Sequence, residues 1–263
     1  MTSHLTIAAL GFLLIFLGTT AGAAAVFFVR SELSSRSNAL MLGFAAGMMV
    51  AASMWSLLMP AIGQSASVYG SFGWMPVALG FVGGGLFLVL LDLVVPHIHQ
   101  ATQHEEGLRS HFSKSLKFFL AVTLHNIPEG MAVGFAFGAA AQGGEFSDMS
   151  ALALAIGIAL QNLPEGAAVA LPMSNGGTRR MRAFLFGMGS GAVEPLMAIA
   201  GFLLAAQLVS VLPWLMAFAA GAMIFVVAED LIPEANLSGH SHFATWGVMA
   251  GFVLMMVLDV ALG

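Results

Sequence analysis

The sequence predicts an all-α integral membrane protein, and three observations carry that prediction. Of 263 residues, 59% are hydrophobic and only 8% are charged, whereas soluble domains carry about 25% charged residues. The apolar residues gather into eight runs, each near the roughly 20 residues that a membrane-crossing helix needs. All eight Lys and Arg residues fall in alternate connections between those runs. Cysteine is absent, which rules out a disulfide framework or a thiolate metal site.

The runs cover about residues 5–29, 39–62, 72–94, 116–140, 149–172, 182–207, 211–229 and 243–262, within a single transmembrane domain spanning 1–263. No charged head precedes the first run, so the N-terminus reads as a retained span and not as a cleaved signal. Arg30 and Arg36 follow run one; Arg109, Lys114 and Lys117 lie before or at the very start of run four; Arg179, Arg180 and Arg182 lie before or at the very start of run six. The opposite connections hold no Lys or Arg, and the one after run four carries Glu145 and Asp148. Basic residues stay on the cytoplasmic side, so both termini are expected outside.

Runs four and five are interrupted by one heptapeptide pattern, Leu124-His-Asn-Ile-Pro-Glu-Gly130 and Leu160-Gln-Asn-Leu-Pro-Glu-Gly166. An acidic side chain at membrane depth costs about 2.5–3.5 kcal/mol on insertion scales and is functional by default. Twelve residues separate Lys117 from Glu129 and Arg182 from Glu194; fourteen separate Glu165 from Arg179. At 1.5 Å per residue, all three glutamates lie about 18–21 Å from the basic belt, near the middle of the bilayer. Met49, thirteen residues from Arg36, reaches the same level.

Helical spacing puts His125 and Asn126 on neighbouring faces that flank Glu129, and Gln161 and Asn162 repeat this around Glu165. Pro128 and Pro164 remove the hydrogen bonds to the carbonyls of Leu124 and Leu160, which kinks both helices. Run four and run five are antiparallel, so the copies can meet across a pseudo-two-fold axis in the membrane plane, the arrangement of inverted-repeat transporters. Two metal ions fit this ligand count. Glu129 and Glu165 would bridge; His125 and Gln161 would complete one shell, Asn126 and Asn162 the other, with Glu194 beside the second ion. Imidazole, carboxylate and amide suit Zn²⁺, Fe²⁺, Mn²⁺ or Cd²⁺ better than Cu(I).

Single prolines, and lone Asn or Gln residues, more often kink or glue membrane helices than bind ligands. Met49 is one of 18 methionines, so core packing explains it better than ligation does. The connection 95–115 contains His97, His99, His104 and His111, a candidate cytoplasmic metal-capture loop. Glu229, Asp230 and Glu234, with His240, read equally as an exit route or secondary site and as a solvated helix end at the cytoplasmic end of run seven. Asp92 is placed near the inner surface, and Asp259 at the outer end of run eight, where it can guard an outer mouth.

At the paired motifs, His125-Asn126-Ile127-Pro128-Glu129-Gly130 and Gln161-Asn162-Leu163-Pro164-Glu165-Gly166, with Glu194-Pro195, the sequence resembles the ZIP (Zrt-, Irt-like) family of divalent metal transporters. The glutamine form of the second motif is similar to the GufA-like bacterial branch. That resemblance implies a binuclear centre in which His125, Glu129, Gln161, Glu165 and Met49 hold one ion and Asn126, Asn162, Glu194 and the bridging glutamates hold the other. It also implies uptake toward the cytoplasm, usually of zinc, through an elevator-type movement of helices 1, 4, 5 and 6 against 2, 3, 7 and 8. Where Asn162 stands, some relatives have aspartate, so the second position is less negative here.

The expected substrate is thus a divalent metal, with no catalytic cofactor. Expected partners are that ion, the lipid bilayer and a candidate second copy of the chain as a homodimer, and no nucleic acid. The expected location is a bacterial inner membrane. The competing reading, an intramembrane metal-dependent hydrolase, lacks a His-Glu-x-x-His motif and an identifiable spare general base.

Overall fold

The computed structural model describes residues 2–29, 33–98, 105–143, 147–237 and 242–262. Eight helical rods run through the described residues: α1 (His4–Phe27), α2 (Ser35–Phe72), α3 (Trp74–Val94), α4 (Lys114–Ala141), α5 (Asp148–Asn175), α6 (Arg180–Gln207), α7 (Leu212–Ala235) and α8 (Phe243–Leu262). All but α4 are long and apolar enough to cross a membrane by composition. The polar middle of α4, with His125, Asn126, Pro128 and Glu129, keeps that helix out of the set.

Local sequence explains where several rods begin. Ser34, Ser113 and Ser147 take extended backbone and accept from the N–H groups of Ser37, Leu116 and Ser150, capping α2, α4 and α5. Pro128 and Pro164 lie inside their helices, as the motif requires. Two rods contain a π-helical turn followed at once by a proline: Ser53–Leu58 before Pro60 in α2, and Val227–Leu231 before Pro233 in α7.

The second of these turns corrects the sequence reading. Instead of ending at Glu229-Asp230, α7 continues through the π turn to Ala235, which carries Asp230 into the helical core. Similarly, α2 runs well past 62, to Phe72. Within the connection after α3, His97–Ile98 and Glu105–Glu106 pair as a short antiparallel ladder, β1 and β2.

Packing is strongest within four pairs: α1 with α5, α4 with α6, α2 with α8, and α3 with α7. The first two pairs join into one group, since α4 also packs on α5 and α1 on α6; α2 and α7 join the other two. The groups meet chiefly where α4 and α5 touch α2, α7 and α8. The motif glycines set the first group's close approach. A Cβ on Gly130 would lie 2.4 Å from the carbonyl oxygen of Glu194, and one on Gly166 would lie 2.1 Å from that of Thr19. Small residues at such crossings let membrane helices touch backbone to backbone. The Pro-Glu-Gly ending of each motif thus couples a buried acid to a tight helix crossing.

Candidate functional site

The proline-bearing middles of α4 and α5 bring their polar residues together with α1, α6 and α7. Asn126, Glu129, Gln161, Asn162 and Glu194 are completely buried, and Glu165 nearly so. Glu129, Glu165 and Glu194 lie within electrostatic reach of one another, so burying them together without a compensating partner is costly.

Glu194 collects donors from three helices. The Thr19 hydroxyl donates to Oε1 at 2.7 Å, Asn126 Nδ2 donates to the same oxygen at 3.0 Å, and Asn162 Nδ2 donates to Oε2 at 2.6 Å. Each amide has a further anchor: Asn126 donates to the Ser190 carbonyl (3.0 Å) and Asn162 to the Ile15 carbonyl (3.2 Å). Gln161 Nε2 donates to Glu129 Oε1 at 2.6 Å.

This arrangement spends the N–H groups and strands the oxygens. Asn126 Oδ1, Asn162 Oδ1, Gln161 Oε1, Glu129 Oε2 and Glu165 Oε1 are buried with no hydrogen-bond donor. Unmatched buried acceptors are rare in folded proteins and call for an explanation. Here five come from two heptapeptides, and all are hard oxygen donors of the kind that bind a dication. Among the described residues, no three His, Asp or Glu side chains form a metal shell by themselves.

On the other side of Glu165 stands His125, whose Nε2 lies 3.0 Å from Asp230 Oδ2. These three residues and Glu234 line a cavity of about 40 Å³, to which Ile98 and Phe118 also contribute. Ala168 and Glu234 also belong to a larger cavity of about 540 Å³ between α2, α5 and α7, bordered by Asn38 and Asn175. Beside it, Lys117 Nζ grips Glu105 Oε2 at 2.6 Å and ties the β1–β2 ladder to α4. That hydrogen bond and charge hold the Glu105 carboxyl below its ordinary range.

The sequence-predicted residues sort as follows. His125, Asn126, Glu129, Gln161, Asn162, Glu165 and Glu194 come together. Asp230 and Glu234 join them from α7; the sequence reading had put both at the helix end, apart from the midplane cluster. Glu229 is exposed and lines neither cavity, and His240 lies outside the described residues, as do His99 and His104. Met49 is fully buried in the main apolar core. His97 is buried, with Nδ1 2.8 Å from the Val95 carbonyl and Nε2 3.5 Å from Asp92. Asp259 accepts from Ser56 at 2.7 Å, which ties α8 to the π turn of α2. Sequence reasoning missed Thr19; the Thr19-Thr20 pair inside an apolar run was its only signal.

A bundle of long apolar helices around a buried centre of carboxylates and amides defines a multi-pass membrane protein with a polar core. The family model described as ZIP Zinc transporter matches residues 99–259. Zinc transporter ZIPB of Bordetella bronchiseptica is 41% identical, over 99% of this chain and 82% of its own. Zinc transporter GufA of Myxococcus xanthus is 39% identical, over 94% and 96%, and human Zinc transporter ZIP11 is 36% identical, over 94% of each. The chain belongs to the ZIP family, in its GufA-like branch.

Proposed function

We propose that this protein moves divalent transition-metal ions, zinc foremost, across a bacterial inner membrane toward the cytoplasm. The observation that carries the proposal is the set of five stranded, buried oxygens that the two motifs contribute. A dication accepts those lone pairs and offsets the mutual repulsion of Glu129, Glu165 and Glu194 in one step. In this reading the centre is binuclear. Glu129 and Glu165 bridge, His125 and Gln161 complete one shell with Met49 as an additional soft ligand, and Asn126, Asn162 and Glu194 serve the second position. The relatives' names as zinc transporters support zinc as the substrate.

Release follows the cavities. From Glu165 and His125 an ion passes Asp230 and Glu234 into the space between α2, α5 and α7. That space borders the ends of α2 and α5 nearest Arg36 and Arg179, and the basic residues put those ends in the cytoplasm and both termini outside. Asp259 with Ser56 then sits toward the outer mouth.

Alternating access is supported by the internal symmetry of the packing. Exchanging α1 with α6, α2 with α7, α3 with α8 and α4 with α5 turns the pair α1–α5 into α6–α4, and α2–α8 into α7–α3. The same exchange matches the two π turns with their prolines. It also matches Gly80, Gly84 and Asp92 to Gly247, Gly251 and Asp259 at identical spacing. We read this as an inverted repeat, with the group α1, α4, α5 and α6 sliding against the other.

Zinc uptake into proteoliposomes tests the proposal. Glu129→Ala and Glu165→Ala are each expected to lower the rate at least about tenfold, the loss of one ion-holding carboxylate. Wild-type uptake by both variants would end it.

A further inference from the structure

We propose that the inner end of α6 holds a specific site for an anionic phospholipid of the adjacent leaflet. The α5–α6 connection turns at Gly177, whose φ of 91° is left-handed, and returns directly into Arg179 and Arg180. Behind that turn lies an open cavity of about 650 Å³, to which Thr178, Arg179, Arg182, Met181 and Leu185 contribute. A neighbouring cavity of about 350 Å³ shares Gly176 and Thr178 and adds Lys114 and Ser115 from the start of α4.

Three features define the ligand. No acidic side chain pairs with Arg179, Arg180 or Arg182 among the described residues. Their charge is therefore available, and guanidinium is suited to bidentate phosphate binding. Arg179 provides no side-chain cap at the start of α6, so leading backbone N–H groups remain for the same anion. Met181 and Leu185, one turn apart, are 59% and 49% exposed beside the arginines, on a helix apolar enough to cross a membrane. Phosphate at the arginines with an acyl chain along Met181 and Leu185 satisfies all three, and basic pockets between membrane helices bind phospholipid headgroups in this way. Arg36 is a contrast on another helix, already stacked 5.7 Å over the Phe243 ring.

Native mass spectrometry of the full chain, with phosphatidylglycerol and phosphatidylcholine supplied equally, reads the site. Wild type is expected to retain phosphatidylglycerol preferentially. Arg182→Gln alone should reduce that retention about fivefold, and Arg179→Gln with Arg182→Gln further, while Arg179→Lys with Arg182→Lys keeps most of it. Arg36→Gln should leave it unchanged. Equal retention of the two lipids, or an Arg36→Gln loss as large as the Arg182→Gln loss, overturns the proposal. So does complete displacement by millimolar inorganic phosphate, which would mark a soluble-anion site without an acyl contribution.

Discussion

Around Glu194, every carboxylate oxygen meets a donor: Thr19, Asn126 and Asn162 supply them from α1, α4 and α5. Around Glu165, the facing groups are His125, Asp230 and Glu234, an oxygen is left without a donor, and a cavity opens alongside. Both regions draw on the same two motifs: Asn126 and Asn162 serve the first, His125 and Glu165 the second. Their difference lies in what the neighbouring helix contributes. Helix α6 presses its backbone onto Gly130, so Glu194 is sealed among amides, whereas α7 offers two further acids across a gap. A carboxylate saturated by hydroxyl and amide donors is held in place; one with an oxygen left unmatched beside a histidine and a cavity has room for a new partner. The structure thus separates a locked region from an exchangeable one within a single polar cluster.

The largest effect that can break this contrast comes from the exchangeable side. His125→Ala is expected to weaken zinc binding about 10–100-fold, the range seen when groups that orient or hold a metal are lost. The buried His97, whose partners are Val95 and Asp92, should tolerate alanine with far less change. Equal losses in isothermal titration would move the site to the loop.

A smaller change sharpens the locked side. Asn162→Asp replaces the amide that donates to Glu194 with another carboxylate, removing a donor and adding charge. The second position should then bind more tightly, by about tenfold if one added charge contributes about 1.4 kcal/mol at intermediate dielectric. Metal-to-protein stoichiometry at a buffered free-zinc concentration that leaves the second position part-filled checks this, with an increase expected.

The smallest effect concerns the ladder beside the cavity. Because the Lys117 ammonium lowers the Glu105 pKa, their bridge contributes fully above the ordinary glutamate range and is lost only as pH falls through the lowered folded value. Hydrogen exchange of 105–113, corrected for intrinsic rates, should stay flat from neutral pH down to about pH 4.5 and rise below it. Glu105→Gln should show the acid level of exchange at neutral pH.

Much of this was legible before any coordinates. The glutamates of α4, α5 and α6 stand out because ionisable groups inside apolar runs are expensive, and the structure buries all three together. Thr19 did not stand out, since a threonine in a membrane helix is inexpensive and common. Asp230 was assigned to a helix end because hydropathy falls at Glu229-Asp230; a π turn and Pro233 carry the rod onward, and no apolar count registers that.

By itself, the sequence determined the class, the helix number and the carboxylates and amides of the two motifs. Transfer energies act residue by residue along the chain, so an ionisable group inside an apolar run stands out from the sequence alone. Only the tertiary structure decided which acid is sealed and which faces a cavity. That outcome depends on which helix backbone can press against Gly130 and Gly166, and on whether α7 reaches His125. Helix–helix approach is settled by side-chain volumes on two surfaces at once, and a linear pattern shows one surface at a time.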